Sequence, residues 1–298
     1  MKRNALIRIV LWSILLVVLV SILSISLLPK TPRAEATVAA VTEPKPIPVE
    51  TTVPSAPADP DALSGPNYPA QKIRELEIDW VIGNIMIIPT ETDQILIYET
   101  NVTDPKDAMV VELEEGSLSI EYCKNWKKIP SFGTDVPQKD LTIYVPYDWN
   151  CSNIEINAAS ANLNVTGLTA GEVDIESASG QCTFSDCDIR ELDIQTASGD
   201  ILYTGSLQEL DCEAASANVT AELTNVPRQM KLQAVSGNLN ITLPQNAGFT
   251  LNVNALNDQF YTNFDNVTQK NGQHIRGDGS CRITIKAMSG RVEITKGQ

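Results

Sequence analysis

Counted back from a serine that recurs along the chain, the fifth residue before it reads Glu155, Asp174, Asp193 and Asp211, and the third reads Asn157, Glu176, Gln195 and Glu213. Carboxylates at a fixed offset become columns once the repeats stack, with neighbours about 4.8 Å apart. Two unit charges at that separation repel by roughly 1 kcal/mol in water and several times more at an effective dielectric of 20. Solvated, such a stripe is tolerable; partly shielded, it calls for a cation. The candidate ligands are therefore Glu155, Asp174, Glu176, Asp193, Asp211 and Glu213, and the matching partners are a divalent cation or a cationic peptide or protein. The plainer alternative is a solvated charged face on a chain of formal net charge −15.

The same carboxylates raise the possibility of catalysis, because adjacent coils place paired acids near the roughly 5 Å separation of a retaining glycosidase. Such a site also needs sugar-stacking aromatics or a basic residue, and the regular repeats offer almost none. His274 is the only histidine, so no histidine-based triad or multi-histidine metal site can be assembled. No cofactor motif is present. A basic and aromatic cluster, Tyr122, Lys124, Trp126, Lys127 and Lys128, is a candidate contact for anionic lipid or cell-wall polymer, against the alternative of a loop packed on the end of the repeats. The acidic balance argues against nucleic acid, whose phosphates require a basic patch.

The residues that must position these groups form a phrase written five times between Ile154 and Ile241. Each copy alternates apolar and polar residues, turns at a corner, and alternates again. The corners centre on Ser160, Ser179, Ser198, Ser216 and Ser236, spaced by 19, 19, 18 and 20 residues, and a sixth stands at Ser289. A short fixed period is the signature of a solenoid, and period-two alternation is that of a strand with one buried side. The expected fold is all-β, a single-stranded parallel β-helix with coils of about 19 residues. The position just before each corner is small (Ala158, Ser177, Thr196, Ala214, Ala234, Ala287), which predicts converging sheets. Because Ala161 and Ala217 stand where other corners have Gly, the corner is expected to tolerate negative φ.

Trp80 to Asn84 and Glu114 to Ser117 look like degenerate corners of early coils, Leu256 to Asp258 like a late one, and Gly272 to Ser280 like a glycine-rich loop. Cys182 aligns with Leu163, Ile201 and Val219, and Cys212 with Ile175 and Ile194, so these cysteines read as small core residues, with a local Cys182–Cys187 bridge as the alternative. Arg276-Gly277-Asp278 matches an integrin-binding tripeptide, a match common by chance, and the sequons at Asn101 and Asn164 follow from strands rich in Asn and Thr.

Ahead of the repeats, Ile9 to Leu28 is twenty residues without a charge, long enough to span about 30 Å as a helix. It is expected to be an uncleaved transmembrane helix (9–28) behind a short cytoplasmic tail (1–8), with a cleaved signal peptide as the rival. Lys2, Arg3 and Arg8 precede it, which favours export of the acidic remainder. Residues 29–70 hold ten of the 17 prolines and read as a disordered tether, leaving 71–298 as the folded domain.

The run Leu141-Thr142-Ile143-Tyr144-Val145-Pro146, the repeated Asp-Ile-x-x-Ala-Ser-Gly phrases and the Gly277-Asp278-Gly279 loop before Ile283-Thr284-Ile285 resemble the bacterial putative-adhesin domain of unknown function. The resemblance implies a β-solenoid, tethered to the cell envelope and associated with envelope-stress systems, with no catalytic residues to carry over. The combined expectation is a membrane-anchored, extracytoplasmic, non-catalytic module that binds or senses at the envelope, possible partners including an envelope protein. A glycan-processing enzyme on the same scaffold and a structural spacer are the alternatives.

Overall fold

The computed structural model describes residues 66–102, 104–124, 136–255 and 260–297. The expected transmembrane helix and nearly all of the expected tether lie outside these residues; among the described ones, no helix is long and apolar enough to cross a membrane. Residues 67–72 form a short strand and a 3-10 turn, so ordered backbone starts before the expected boundary at residue 71.

The described residues are all-β and solenoid-like. In order, the strands are β1 (Asn67–Pro69), β2 (Glu75–Thr90), β3 (Gln94–Thr100), β4 (Val110–Glu114), β5 (Ser117–Glu121) and β6 (Asp140–Pro146). The central repeats form β7 (Asn150–Thr166), β8 (Thr169–Ser179), β9 (Cys182–Ser198), β10 (Ile201–Ser216), β11 (Val219–Leu223), β12 (Gln229–Ser236) and β13 (Leu239–Leu243). The last are β14 (Phe249–Ala255), β15 (Phe260–Thr262), β16 (Thr268–Lys270), β17 (Gln273–Arg276), β18 (Cys281–Ala287) and β19 (Val292–Lys296).

Successive central coils pair in parallel with their corners superposed: Ser160 lies on Ser179, Ser198 on Ser216, and Ser216 on Ser236. Alternation drives this arrangement. Ile154, Val173, Leu192 and Leu210 form one buried column, and Leu163, Cys182, Ile201 and Val219 another. A fully buried Ile or Leu contributes roughly 1.5–3 kcal/mol. The one short spacing, 18 residues, has a local cause: between Phe184 and Cys187 β9 carries two residues where β10 has only Thr204 between Tyr203 and Gly205. Asp186 takes up the extra length at φ 54°.

The small position before the corner is buried in every coil where the sequence repeats. Ser177 and Thr196 satisfy their hydroxyls there by donating to the Ser179 and Ser198 carbonyls, at 3.0 and 2.9 Å. The corner itself comes in two forms. Gly180 and Gly199 have φ of 126° and 120°, and a Cβ on either would lie 2.0 Å from a carbonyl oxygen of the coil below. The expectation of negative φ thus fails wherever the corner is Gly and holds at Ala161 and Ala217, whose methyl groups turn into the core. Polar ladders cap the turns: Gln181 N–H donates to Asn162 Oδ1, Asn238 N–H to Asn218 Oδ1 and Arg291 N–H to Asn238 Oδ1, each at 3.0 Å.

At both ends the stacking order departs from the chain order. The coil of β2 lies between β7 on one side and β5 with β6 on the other. Likewise β18 and β19 are inserted between β12/β13 and β14/β15. The outermost coils are then covered by antiparallel strands, β4 on β5, β3 on β6 and β17 on β14, which removes much of the open edge of a simple solenoid.

Of the irregular stretches, Ile82 and Gly83 form a true corner, in register with Ser160 and Ala161. Glu115-Gly116 does not: both have positive φ and close the two-residue hairpin between β4 and β5. Residues 272–280 are not a continuous loop, because Asn271-Gly272 turns a second hairpin into β17. The corner expected at Leu256 to Asp258 lies outside the described residues.

Candidate acidic binding face

The sheet half that precedes the corners carries three outward columns. The first runs Glu77, Glu155, Asp174, Asp193, Asp211, Lys231. The second runs Asp79, Asn157, Glu176, Gln195, Glu213, Gln233, Lys286. All six candidate carboxylates fall on this face, four of them in the first column before Lys231 and two in the second. The third column, Glu75, Asn153, Glu172, Glu191, Glu209, was missed from sequence. Its signal was present, since Glu172, Glu191 and Glu209 each stand seven residues before a corner serine. The half that follows the corners carries no such rows: Asn164, Thr183, Leu202, Thr220 and Asn240 are in register and uncharged, while its carboxylates stand singly, Asp200 accepting from Asn218, Glu222 between Thr204 and Thr242, and Glu293 between Asn240 and Tyr261.

The columns continue toward the N-terminal cap. Ser117 and Ser119 of β5 are in register with Glu75 and Glu77, and Glu114 and Glu112 of β4 lie opposite those serines. Where serine replaces a longer side chain the surface is indented, leaving a cavity of about 350 Å³ lined by these residues and Glu115. Among the described residues no three His, Cys, Asp or Glu side chains are gathered to hold a metal ion. The acids are arranged as rows.

Crowding shows in their protonation. Burial, with the charges of Glu172, Glu155, Glu191 and Glu176, pushes the Asp174 carboxyl up to about 6. Burial followed by Asp211 and Asp174 does the same for Asp193, also to about 6. Glu213 is raised by burial and Asp211, against the opposing pull of Lys286 and Lys231. The acidic region ends at cations: Arg228 pairs with Glu209, Lys231 Nζ reaches Asp211 Oδ2 at 2.8 Å, and Lys286 Nζ reaches Gln233 Oε1 at 3.1 Å. Lys231 is raised in turn by its hydrogen bond to Asp211.

Amides separate carboxylates within the second column. Asn157, 1% exposed, donates Nδ2–H to Asp79 Oδ1 at 3.1 Å and to Glu155 Oε1 at 3.2 Å. Both carboxylates only accept, which fixes the amide orientation. Its Oδ1 is buried without a hydrogen-bond partner, as is Oδ1 of Asn153 on the same strand.

Of the basic and aromatic candidates, Tyr122 and Lys124 fall among the described residues. Tyr122 is buried, packs edge-on against Trp80 with ring centroids 5.1 Å apart and donates its hydroxyl to the Pro137 carbonyl, so it is a core residue rather than a surface contact. Lys124 is exposed, while Trp126, Lys127 and Lys128 lie outside the described residues. Beside Tyr122, Lys139 is fully buried; its ammonium bonds Glu99 and the carbonyls of Tyr122 and Asp107, and lies 3.9 Å from the Tyr122 ring centroid.

All six cysteines are free and buried, including Cys182 and Cys187. Burial pushes the Cys182 thiol up to about 12 and Cys187 to about 11, the opposite of an activated nucleophile. Arg276 is held within the fold: its guanidinium donates to the Ala247, Gln245 and Asp265 carbonyls and lies 4.6 Å from the Phe264 ring centroid. Asp278 accepts from Ser280 N–H at 3.0 Å, closing the turn that follows β17. The tripeptide is therefore a structural turn.

No curated protein matches the chain. Similar solved structures include a putative cell adhesion protein from Clostridium sporogenes, at 9% identity over 78% of this chain and 100% of that one, with a TM-score of 0.36. A putative adhesin from Bacteroides fragilis is 13% identical over 79% of this chain and 97% of that one, with a TM-score of 0.40. A putative lipid binding protein from Parabacteroides distasonis is 16% identical over 79% of this chain and 96% of that one, also with a TM-score of 0.40. The family model described as Toastrack DUF4097 matches residues 75–295, from the first residue of β2 to the last strand, and the chain belongs to that family.

Proposed function

We propose that the domain is a non-catalytic binding module of the cell envelope, and that its acidic sheet face takes an extended cationic partner. The observation that carries this is the concentration of carboxylates on one face of the repeats, in register from coil to coil, while beyond the corners carboxylates stand singly between uncharged register neighbours. Rows of acids at a repeat of about 4.8 Å suit a chain of spaced positive groups better than one chelated ion. The exposed aromatics among the described residues, Tyr147 and Tyr261, stand away from the carboxylate columns, which gives a sugar ring no stacking platform beside them.

In this proposal residues 9–28 anchor the chain as a single-pass helix, residues 1–8 are cytoplasmic, and the proline-rich segment holds the domain on the outer side of the membrane. Capture of a cationic peptide or protein there is the event an envelope-stress sensor would report. Surface plasmon resonance on the full chain, comparing an extended lysine-rich peptide with its glutamate counterpart at low and high salt, tests the reading. Salt-sensitive binding of the lysine peptide alone supports it; equal binding of both, or of neither, contradicts it.

A further inference from the structure

We propose that Asn157 is the centre of an ammonium-binding site on the acidic face, completed by Glu155, Asp174 and Glu176, which accepts a lysine side chain of an extended peptide. The proposal rests on the reading of this face as the binding surface and names the group it recognises.

The second column contains its own precedent. Gln233 donates Nε2–H to Glu213 in the coil below, and its carbonyl Oε1 receives the Lys286 ammonium from the coil above at 3.1 Å. Asn157 repeats the first half of that arrangement, donating Nδ2–H to Asp79 in the coil below at 3.1 Å. With Nδ2 turned toward β2, the amide carbonyl faces the β8 side, where its register neighbour is Glu176 in place of a lysine. Glu176 carries no proton donor when ionised, and Asn157 Oδ1 is buried with no hydrogen-bond partner.

A buried acceptor without a donor is costly, and a donor bearing positive charge satisfies the carbonyl and offsets the surrounding carboxylates together. Glu155 and Asp174 are register neighbours and flank the position from the first column. Asn153 Oδ1, four residues along the same strand and also unpartnered, offers a second acceptor about 13 Å away. An ammonium fits better than a metal ion, because it is recognised by separate single hydrogen bonds, and no three acidic side chains among the described residues gather into a coordination shell.

The test is calorimetric titration of the full chain with penta-lysine, and separately with calcium chloride, for the natural protein and for Asn157→Leu, Glu176→Gln and Asn240→Leu, the last on the half beyond the corners. Asn157→Leu changes no charge and is expected to weaken penta-lysine binding roughly tenfold or more. Glu176→Gln weakens it too, and carries the test if Asn157→Leu does not fold, while Asn240→Leu leaves it within about twofold. Unchanged affinity in both Asn157→Leu and Glu176→Gln, or an equal loss in Asn240→Leu, overturns the site while leaving the face as a binding surface. Absence of penta-lysine binding by the natural protein overturns both. Saturable calcium binding that is lost in Asn157→Leu, with penta-lysine unaffected, assigns the oxygens to a metal and overturns the ammonium assignment.

Discussion

Lys231 Nζ donates to Asp211 Oδ2 at 2.8 Å, and at that contact the first acidic column ends. Five carboxylates, Glu77, Glu155, Asp174, Asp193 and Asp211, precede it in register, and Thr284 follows it. The lysine thus terminates a row of like charges. Both partners are partly exposed, so Lys231→Met is expected to cost only about 0.5 kcal/mol at low ionic strength. Lys231→Glu, which extends the row, should cost more, and high salt should narrow the difference. Urea denaturation of the three proteins at two salt concentrations measures this.

Stability should fall as pH rises through the titration of the crowded aspartates. Asp174 and Asp193 titrate at about 6 in the folded chain against about 3.8 for the unfolded groups. Below the unfolded value both states hold the proton; between the two values only the folded state does, and this contribution is lost as pH rises through about 6. The melting temperature is therefore expected to be higher near pH 5 than near pH 7.5. The difference should shrink in Asp174→Asn/Asp193→Asn and in high salt, the latter because the groups are half-exposed and screened. An unchanged difference in the double variant would assign the pH dependence elsewhere.

The two corner types should respond oppositely to the same pair of residues. Gly180→Ala places a methyl group 2.0 Å from the Ala161 carbonyl oxygen on a backbone at φ 126°, and is expected to cost about 3 kcal/mol or more. Ala161→Gly removes one buried methyl and adds backbone freedom, at about 1 kcal/mol. Thermal denaturation of both variants gives the comparison.

Lys139 is the one fully buried lysine among the described residues, and its ammonium ties Glu99 of β3 to the Tyr122 carbonyl just past β5. Lys139→Met strands the Glu99 carboxylate, 6% exposed, and is expected to cost about 3–5 kcal/mol. Lys139→Met combined with Glu99→Leu should recover part of that loss. A double-mutant cycle by chemical denaturation reads the coupling directly.

The repeats were legible in the sequence because each buried column has its own period: Cys182 and Cys212 fall on the columns that alignment assigned to them. The ends were not legible, because stacking order there is set by which strand covers an edge, and local pattern carries no record of it. Neither Glu75 nor Asn153 signals that 78 residues separate two strands that pair directly. Asn271-Gly272 did carry a hairpin signal, obscured by the run of glycines after it. Two of the three acidic columns were found by counting from the corner serine. The third, at Glu172, lies farther from the serine, where Asn153 breaks its charge pattern, and Tyr122, set beside Lys124 in sequence, is buried by the ring of Trp80, 42 residues earlier in the chain.

Carbodiimide coupling of penta-lysine to the protein, read by mass spectrometry, tests the binding face most directly: the reagent activates a carboxylate, and a lysine amine held beside it displaces the urea to leave an amide. Adducts concentrated at Glu172, Asp174, Glu176, Glu191 and Asp193, with Asp148, Asp265 and Glu293 unmodified, are the result predicted for an acidic face that binds a cationic chain. Adducts confined to residues outside the three columns, or none at saturating peptide, would contradict it.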